Sequence, residues 1–375
     1  MPGSPSPSLP RVTAGRFYRP ELDCLRFFAF LGVFIHHTCS SDAQYYAARH
    51  IPFASLIASA ARAGSFGVDL FFLLSAFLIT ELLLREKEQR GEVVLRSFYV
   101  RRILRIWPLY FLGILIAVVL SHLDPTQLFS LKYVIAFLLL SGNWLVSISG
   151  FPGNVMNALW SVSFEEQFYL LWPAIVREVR RVESLWLACP ILLVTAEISR
   201  LIVMKYSPLN TTLFTNTLTR LDPIALGIAT TLAIRRFPMQ LGTAARAISL
   251  ILGIAVWLVA GHFFGVSYAF ALIGYPAMAL GSWLIFLAVY GVNFAPRILA
   301  YLGKISYGLY VFHNLAFYFL SKLLGHYPHT MREFAVFCSL GLALTIAMAA
   351  FSYRFFESPF LRLKERFALV KSREV

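Results

Sequence analysis

The chain has 375 residues, of which 58% are hydrophobic and only 14% are charged, whereas soluble globular proteins carry about 25% charged residues. This composition excludes a soluble enzyme, a disordered protein and a disulfide-stapled secreted domain, and it predicts an all-α, polytopic transmembrane helical bundle. The formal net charge of +14 does not indicate a nucleic-acid partner, because the basic residues stand in short clusters between apolar runs, as in loops that hold membrane topology.

The predicted organisation is a single membrane domain between two tails. Residues 1–15 are rich in proline and serine and are predicted to be a disordered cytoplasmic tail, 16–360 the membrane-embedded domain and 361–375 a basic cytoplasmic tail. Eleven apolar runs are candidate spans. They lie at about 25–40, 66–84, 103–120, 131–149, 162–176, 185–204, 221–234, 247–265, 269–292, 305–324 and 333–353.

The basic clusters indicate which runs cross the membrane. The segment from Arg85 to Arg105 is interpreted as a loop with seven basic residues, which the positive-inside rule makes cytoplasmic. The next strong basic cluster, at 177–181, should lie on the same side, yet three runs separate the two. The weakest of the three, 131–149, is broken at 141–143. We therefore predict about ten spans, one re-entrant outer segment at 131–149 and both termini in the cytoplasm.

Two ionisable side chains in the first span are candidates for function. Arg26 lies near its cytoplasmic start and His37 near its outer end. Eleven positions on a helix are about three turns, so both project from nearly the same face, about 16 Å apart. Charged groups inside a span are costly and usually functional. The alternative is that Arg26 reaches lipid phosphates and that the histidine only marks the interface.

Carboxylates in two other spans could serve the same site. Asp69 is predicted near the outer end of the second span, level with His37, and Glu165 and Glu166 lie in an aromatic run that opens the fifth. Helix capping explains one of these two glutamates better than both. A buried carboxylate near His37 would strengthen the histidine as a general base.

Two later spans also open on polar residues. Arg220 and Asp222 are expected to form a local ion pair where their span begins. Tyr307 and Tyr310 share one face of a later helix, and His313 follows one turn further in. Packing or capping is the alternative interpretation for each of them.

Six motifs occur in a fixed order along the chain. They are Arg19–Arg26 with His37 at a set distance, Gly67–Leu78, Phe98–Pro108, Leu159–Pro173, Ile305–His313 and Phe356–Pro359. With these motifs, from about residue 16 to residue 360, the chain resembles the integral-membrane acyltransferase 3 family. Two positions depart from the family pattern, since Cys24 and Ala76 stand where glycine is usual. Both residues are small, so close packing is preserved.

The resemblance implies an acyltransferase of the kind that transfers groups other than aminoacyl groups. The acyl group, expected to be acetyl, would move from cytoplasmic acyl-CoA to a hydroxyl of a surface polysaccharide or lipid-linked sugar. His37 would be the general base, and Glu166 or Asp69 would orient it and stabilise the imidazolium.

The residues assigned to the donor form a larger set: Arg26, Arg101, Arg102, Arg105, Tyr307 and His313. Arginine suits phosphate geometry, so the basic cluster at 101–105 is predicted to bind the phosphates of CoA, and Arg26 the deeper part of the donor. No permanently bound cofactor and no metal is expected. The predicted location is the cell inner membrane.

Two alternatives to this function remain open. We expect no further outer domain that could bind a polymer, so a small-molecule acceptor is the second choice. In a different class, a multi-pass transporter or flippase would use the buried arginine, histidine and glutamate as a substrate path, and a non-catalytic scaffold would not need them.

Overall fold

A computed structural model describes residues 17–207, 210–237, 240–264, 270–325 and 330–367. Within these ranges the chain is helical and contains no strand, which confirms the predicted all-α class. The predicted tail at 1–15 lies outside the described residues. Of the predicted tail at 361–375, the described part, 361–367, continues the last helix by one turn and leaves it.

Seventeen α-helices occur in the described residues. They are α1 (Pro20–Thr38), α2 (Ala43–Ala47), α3 (Ala54–Ala63), α4 (Gly67–Arg90), α5 (Leu95–Leu123), α6 (Leu131–Leu138), α7 (Gly142–Ser149), α8 (Trp160–Glu178), α9 (Ala188–Tyr206), α10 (Asn210–Thr215), α11 (Asp222–Arg236), α12 (Thr243–Phe263), α13 (Phe270–Val289), α14 (Arg297–Lys304), α15 (Ser306–Leu324), α16 (Met331–Ser352) and α17 (Ser358–Glu365).

Six helical segments in the described ranges are long and apolar enough to cross a membrane by length and composition. They are Ala54–Arg90, which joins α3 to α4 through a 3₁₀ turn, Leu95–Leu123, Val182–Tyr206, Thr243–Phe263, Phe270–Val289 and Met331–Glu365. Four more helices, α1, α8, α11 and α15, are shorter or more polar and run between them. The chain is a multi-pass membrane protein.

The membrane-length helices differ in how far the rest of the protein covers them. In the most apolar membrane-length stretch of the segment that contains α4, 83% of the residues are buried. In the corresponding stretches of the segments that contain α9 and α12, only 17% are buried. Lipid offers no hydrogen bonds, so helices that carry ionisable groups must face protein. Accordingly, Asp69 on α4, Glu166 on α8 and His313 on α15 are all buried.

The helix ends that carry most arginines lie together at what we call the basic end of the bundle. The expectation of a loop across 85–105 was wrong, because α4 continues to Arg90 and α5 begins at Leu95. Lysine, glutamate and arginine are good helix formers, and Glu81 on α4 pairs with both Arg85 and Arg235. Gly91, with φ of 82°, ends α4 in the left-handed conformation that glycine adopts easily.

The segment 131–149 is split into α6, which ends at Leu138, and α7, which begins at Gly142. The gap between them, 139–141, overlaps the predicted break at 141–143. Each helix has eight residues, about 12 Å of helix, too short to cross a bilayer. Its backbone is tied to the bundle, since Tyr110 donates to the carbonyl of Phe137 at 2.9 Å and Gln167 donates to that of Leu140 at 3.0 Å. Irregular backbone at membrane depth requires such protein partners.

The helix α1 approaches the start of α4 and the 3₁₀ turn before it so closely that only glycine fits there. A Cβ atom on Gly64 would collide with the backbone of Gly32, and one on Gly67 would collide with the carbonyl of Ala29. Small residues permit this backbone contact between helices in a membrane. The contact holds the C-terminal end of α1, which carries His36 and His37, against the start of α4.

Candidate active site

The centre of the candidate site is a pair of histidines on α1 and α15. His37 Nδ1 lies 2.8 Å from His313 Nε2, and the two rings are nearly parallel, at 19°. The other nitrogen of His313, Nδ1, lies 2.7 Å from the carbonyl oxygen of Tyr310. His36 points elsewhere and hydrogen bonds to the carbonyl of Ala61 at 3.0 Å. The structure therefore gives His37 a histidine partner where a carboxylate was expected.

Two cavities of different chemistry border His37. The first, which we call the aromatic cavity, has a volume of about 390 Å³ and is lined by Val33, Val68, Trp160, Phe214, Phe264 and Tyr310 among others. The second, the polar cavity, has a volume of about 630 Å³ and is lined by Gln127, Asn154, Asn157, Asn314, Tyr318 and Ser321 among others. His37 thus stands where an apolar space meets a space rich in amides and hydroxyls.

Two polar groups of the polar cavity are fixed in place. The side-chain oxygen of Asn157 accepts from the backbone N–H of Gly153 at 3.0 Å, so its amide nitrogen is left to donate elsewhere. The hydroxyl of Tyr318 donates to Asp124 at 2.8 Å. Asp124 also accepts from Lys322 at 2.7 Å, and this hydrogen bond holds the pKa of the carboxyl well below its usual range. Fixed donors and acceptors of this kind suit a hydroxylated ligand.

A third cavity, which we call the arginine cavity, lies deeper in the bundle. Its lining includes Arg26, Arg102, Arg105, Glu165 and Tyr307. It shares Val68 and Tyr310 with the aromatic cavity, so the two spaces adjoin. Tyr307 donates to the carbonyl of Ile106 at 3.0 Å, which fixes its ring in the wall.

Two arginines of this cavity, Arg26 and Arg102, are incompletely hydrogen-bonded. Among the described residues, the buried Nε atoms of Arg26 and Arg102 have no hydrogen-bond partner. The guanidinium of Arg102 lies over the rings of Phe98 and Tyr169, at 5.5 and 5.4 Å from their centroids. Buried donors in folded proteins are normally satisfied, and each exception needs an explanation.

The fourth space, the basic-end cavity, opens at the arginine-rich end. It shares Arg26, Arg102 and Arg105 with the arginine cavity and adds Arg101 and Lys364. Arg101 is held by Glu86 at 2.9 Å and by the carbonyl of Phe367 at 2.8 Å. Arg105 lies on the wall of both cavities. The donor-binding residues predicted from the sequence therefore gather along one path, except His313, which contacts His37.

The two adjacent glutamates on α8 face different partners. Glu165 accepts from Ser75 at 2.9 Å and from Tyr169 at 3.2 Å. Glu166 accepts from the indole N–H of Trp107 at 2.8 Å through one oxygen, and its other oxygen has no hydrogen bond among the described residues. Neither glutamate hydrogen bonds to His37. The role predicted for Glu166 stays a prediction.

Asp69 belongs to a buried ion-pair network beside the site. Both of its oxygens lie 2.7 Å from Nη2 of Arg220, and both side chains are 1% exposed. The expectation of a local pair between Arg220 and Asp222 was wrong, because Asp222 pairs with Arg200 on α9. Tyr275 lies between the two guanidinium groups, at 4.9 and 5.5 Å. Asp69 thus neutralises a buried cation, and its predicted role beside His37 stays a prediction.

Several polar residues around the ion pairs and around the glutamates of α8 were not singled out in the sequence. Arg200 is fully buried. Trp107 donates to Glu166, and Tyr169 and Ser75 donate to Glu165. Arg200 carried a usable signal, since it is an arginine inside the apolar run 185–204. Trp107, Tyr169 and Ser75 carried none, because such residues are common in apolar helices.

The four cavities form a series from the basic end of the bundle to the opposite end, and each shares wall residues with the next. The basic-end and arginine cavities share arginines, the arginine and aromatic cavities share Val68 and Tyr310, and the aromatic and polar cavities share His37 and Asn157. A path lined first by cations and then by His37 can bring an anionic carrier and a hydroxyl to one imidazole from opposite ends.

Comparison with known proteins agrees with the sequence motifs. The model of an acyltransferase domain, that of the acyltransferase 3 family, matches residues 19–352. A putative O-acetyltransferase of Staphylococcus aureus strain MSSA476 is 26% identical over 373 residues, which is 92% of this chain and 57% of that protein. O-acetyltransferase OatA of S. aureus strain NCTC 8325 is 26% identical over 382 residues, 91% of this chain and 57% of the relative.

A third relative matches over a shorter stretch. Peptidoglycan O-acetyltransferase OatA of Listeria monocytogenes is 34% identical over 169 residues, 42% of this chain and 24% of that protein. The chain thus spans little more than half the length of the S. aureus relatives. No solved structure matches it.

Proposed function

Because the chain belongs to the acyltransferase 3 family, we propose that this membrane acyltransferase moves an acyl group, expected to be acetyl, from acyl-CoA to a hydroxyl of a surface or lipid-linked glycan. The names of its relatives, which include O-acetyltransferases and a peptidoglycan O-acetyltransferase, support the acetyl group and the glycan acceptor. The amides and hydroxyls of the polar cavity support a sugar further, since they offer both donors and acceptors.

The observation that carries the acyl-CoA donor is the pair of unsatisfied arginines. Arg26 and Arg102 line the cavity between the basic end and His37 with buried N–H groups that lack partners among the described residues. Leaving such a donor unpaired costs about 1–3 kcal/mol, more for a charged group. A ligand with anionic or carbonyl oxygens would remove that cost, and acyl-CoA carries both along its length.

The path fits a long, thin donor. The phosphates of CoA would bind in the basic-end cavity, where Arg101, Arg102 and Arg105 lie. The pantetheine arm would pass through the arginine cavity, and the thioester would reach His37, about 16 Å from Arg26 along α1. Since acyl-CoA is made in the cytoplasm, this orientation places the basic end on the cytoplasmic side of the inner membrane, with both termini inside, in accord with the positive-inside rule.

The acceptor hydroxyl would enter from the polar cavity. The imidazole of His37 takes its proton as the hydroxyl oxygen bonds to the thioester carbonyl carbon. The carbon–sulfur bond then breaks, and the thiolate of CoA leaves with the proton that His37 returns. The products are the O-acyl glycan on one side and free CoA on the other.

A binding experiment tests the donor site. Acetyl-CoA is titrated into the purified protein in nanodiscs by calorimetry, with Arg26→Gln and Arg102→Gln compared with Arg96→Gln. Arg96 is an exposed arginine of the same basic end and is the matched control. Loss of one charge-assisted hydrogen bond, about 1.5–3 kcal/mol, should weaken binding about 10- to 100-fold in the first two variants only. Equal affinities in all three would contradict the donor site.

A second experiment identifies the acceptor. Surface glycans of the host are compared by mass spectrometry between the wild type, a deletion strain and the deletion complemented with His37→Ala. Loss of one acyl mass in both mutants supports the glycan acceptor and His37 as the base. If the acyl mass returns with His37→Ala, the proposed base is wrong.

A further inference from the structure

The hydrogen bonds around His313 determine which of its nitrogens carries a proton. Its Nδ1 lies 2.7 Å from the carbonyl oxygen of Tyr310, which can only accept, so this nitrogen is a donor. A neutral imidazole has one N–H, so Nε2 of His313 bears the lone pair. A second proton would make His313 an imidazolium, which is costly at a fully buried position with no carboxylate in contact among the described residues.

The same reasoning extends to His37. Its Nδ1 lies 2.8 Å from Nε2 of His313, which bears a lone pair, so Nδ1 of His37 must donate. The free nitrogen of a neutral His37 is then Nε2, with its lone pair available for a proton. In the other tautomer, Nε2 would carry the hydrogen and could not act as a base. The hydrogen-bond chain from His37 through His313 to the carbonyl of Tyr310 thus selects the active tautomer.

We infer that His313 is a positioning residue that holds His37 in the Nδ1–H tautomer and shares the positive charge of its imidazolium, in the place that a carboxylate takes in other base arrangements. This inference rests on the proposed function, because it concerns the orientation of the proposed base. The hydrogen-bonded series of His37, His313 and the carbonyl of Tyr310 carries no charge before the reaction. This suits a water-poor interior, where an unpaired carboxylate would cost several kcal/mol.

Aromatic packing around the histidine pair fixes the position of the His313 ring. The edge of Phe30 contacts the ring of His313, with centroids 6.1 Å apart at 76°, and Tyr310 contacts it at 5.8 Å. All four residues lie on α1 or α15, so the pair depends on how those two helices pack. His313 therefore acts through His37 and need not touch either substrate.

The test uses variants that differ in one acceptor atom. His313→Gln keeps a side-chain oxygen near the position of Nε2, whereas His313→Leu has similar bulk and no acceptor. The protein is labelled with ¹⁵N-histidine, placed in nanodiscs and studied by solid-state NMR, and the signals of His37 are assigned by their loss in His37→Gln. Both His313 variants are first checked for a monodisperse elution profile.

In the wild type and in His313→Gln, we expect Nδ1 of His37 to carry the hydrogen and Nε2 to be free of it. In His313→Leu, we expect a mixture of tautomers. Acyl transfer to the host glycan should fall about 100-fold in His313→Leu and recover at least tenfold from that level in His313→Gln. Acetyl-CoA affinity should be the same in all three.

Two results would overturn the inference. One is a wild-type His37 with the hydrogen on Nε2, and the other is an unchanged tautomer in His313→Leu. Failure of the proposed function has a separate signature, since the wild type would then not bind acetyl-CoA whatever the tautomer of His37. If His313→Leu does not fold, His313→Gln alone decides. The positioning role is refuted if His313→Gln keeps His37 in the Nδ1–H tautomer and yet is as inactive as His37→Ala.

Discussion

Removing the carboxylate of Asp69 should destabilise the protein more than any exposed charge change. Asp69 on α4 and Arg220 before α11 are both 1% exposed, and both carboxylate oxygens lie 2.7 Å from one guanidinium nitrogen. The rings of Phe214 and Tyr275 pack on the guanidinium at 4.7 and 4.9 Å. In Asp69→Ala, Arg220 therefore keeps its positive charge at a buried position where no other carboxylate of the described residues pairs with it.

The expected magnitude follows from that isolation. Breaking a buried ion pair by removing one partner costs about 3–5 kcal/mol, whereas replacing both partners with apolar residues is often neutral or stabilising. We expect Asp69→Ala to lower the free energy of unfolding by about 4 kcal/mol and the double variant Asp69→Leu with Arg220→Met to lower it by less than about 2 kcal/mol. The exposed pair of Arg177 and Glu178, 3.8 Å apart, provides the control, and Glu178→Gln should cost less than about 1 kcal/mol.

The assay is a double-mutant cycle over Asp69→Leu, Arg220→Met and the double variant, with Asp69→Ala measured alongside. Stability is measured by SDS titration of the purified protein in mixed micelles, with helix content followed by circular dichroism. The coupling between Asp69 and Arg220 should reach about 3 kcal/mol. A single variant as mild as Glu178→Gln, or a double variant as unstable as Asp69→Ala, would refute the reasoning. Activity of the stable double variant then tests whether Asp69 has the role beside the base that the sequence predicts.

Three further outcomes are expected. Gly64→Val should abolish transfer by pushing α1 away from α4, while Gly242→Val, whose Cβ meets open space, should leave both transfer and elution profile unchanged. The Lys322 hydrogen bond lowers the pKa of Asp124, so this carboxylate stabilises the wild type above about pH 4, and the stabilisation is lost as the pH falls. In thermal melts, the melting temperature of Asp124→Asn should therefore fall less steeply than that of the wild type as the pH drops below about 4. Ala158→Phe should narrow the aromatic cavity, so that hexanoyl-CoA stabilises the variant less than the wild type in thermal melts, with acetyl-CoA unaffected.

The positions of the helices were largely predictable because a span needs about 20 apolar residues. The run at 333–353 corresponds to α16, Met331–Ser352, and the break predicted in 131–149 overlaps the gap between α6 and α7. The helical extensions of α4 and α5 were not predicted, since hydropathy marks where a helix meets lipid and not where it ends. Charged residues continued both helices past the apolar run.

The pairing of site residues was less predictable. Arg26 and His37 were singled out because an ionisable group inside a span is costly. The arginines of α5 were singled out because a basic cluster suits the phosphates of a carrier. The partner of His37 lies 276 positions away, and a single sequence does not show which distant helices touch. The same limit explains the pairing assumed for Arg220, since proximity in sequence favoured Asp222 while the fold brought Asp69.

During synthesis, the buried arginine of α9 lacks the ion-pair partner on α11 that it has in the completed bundle. Arg200 enters the membrane before Asp222, its partner on α11, has left the ribosome. A lone arginine at the centre of a span costs about 2.5–3.5 kcal/mol on insertion scales. Glu197, one turn earlier on the same helix and 2.7 Å from Arg200, can neutralise it during that interval. Glu197 therefore contributes more to the yield of inserted protein than to the stability of the completed bundle.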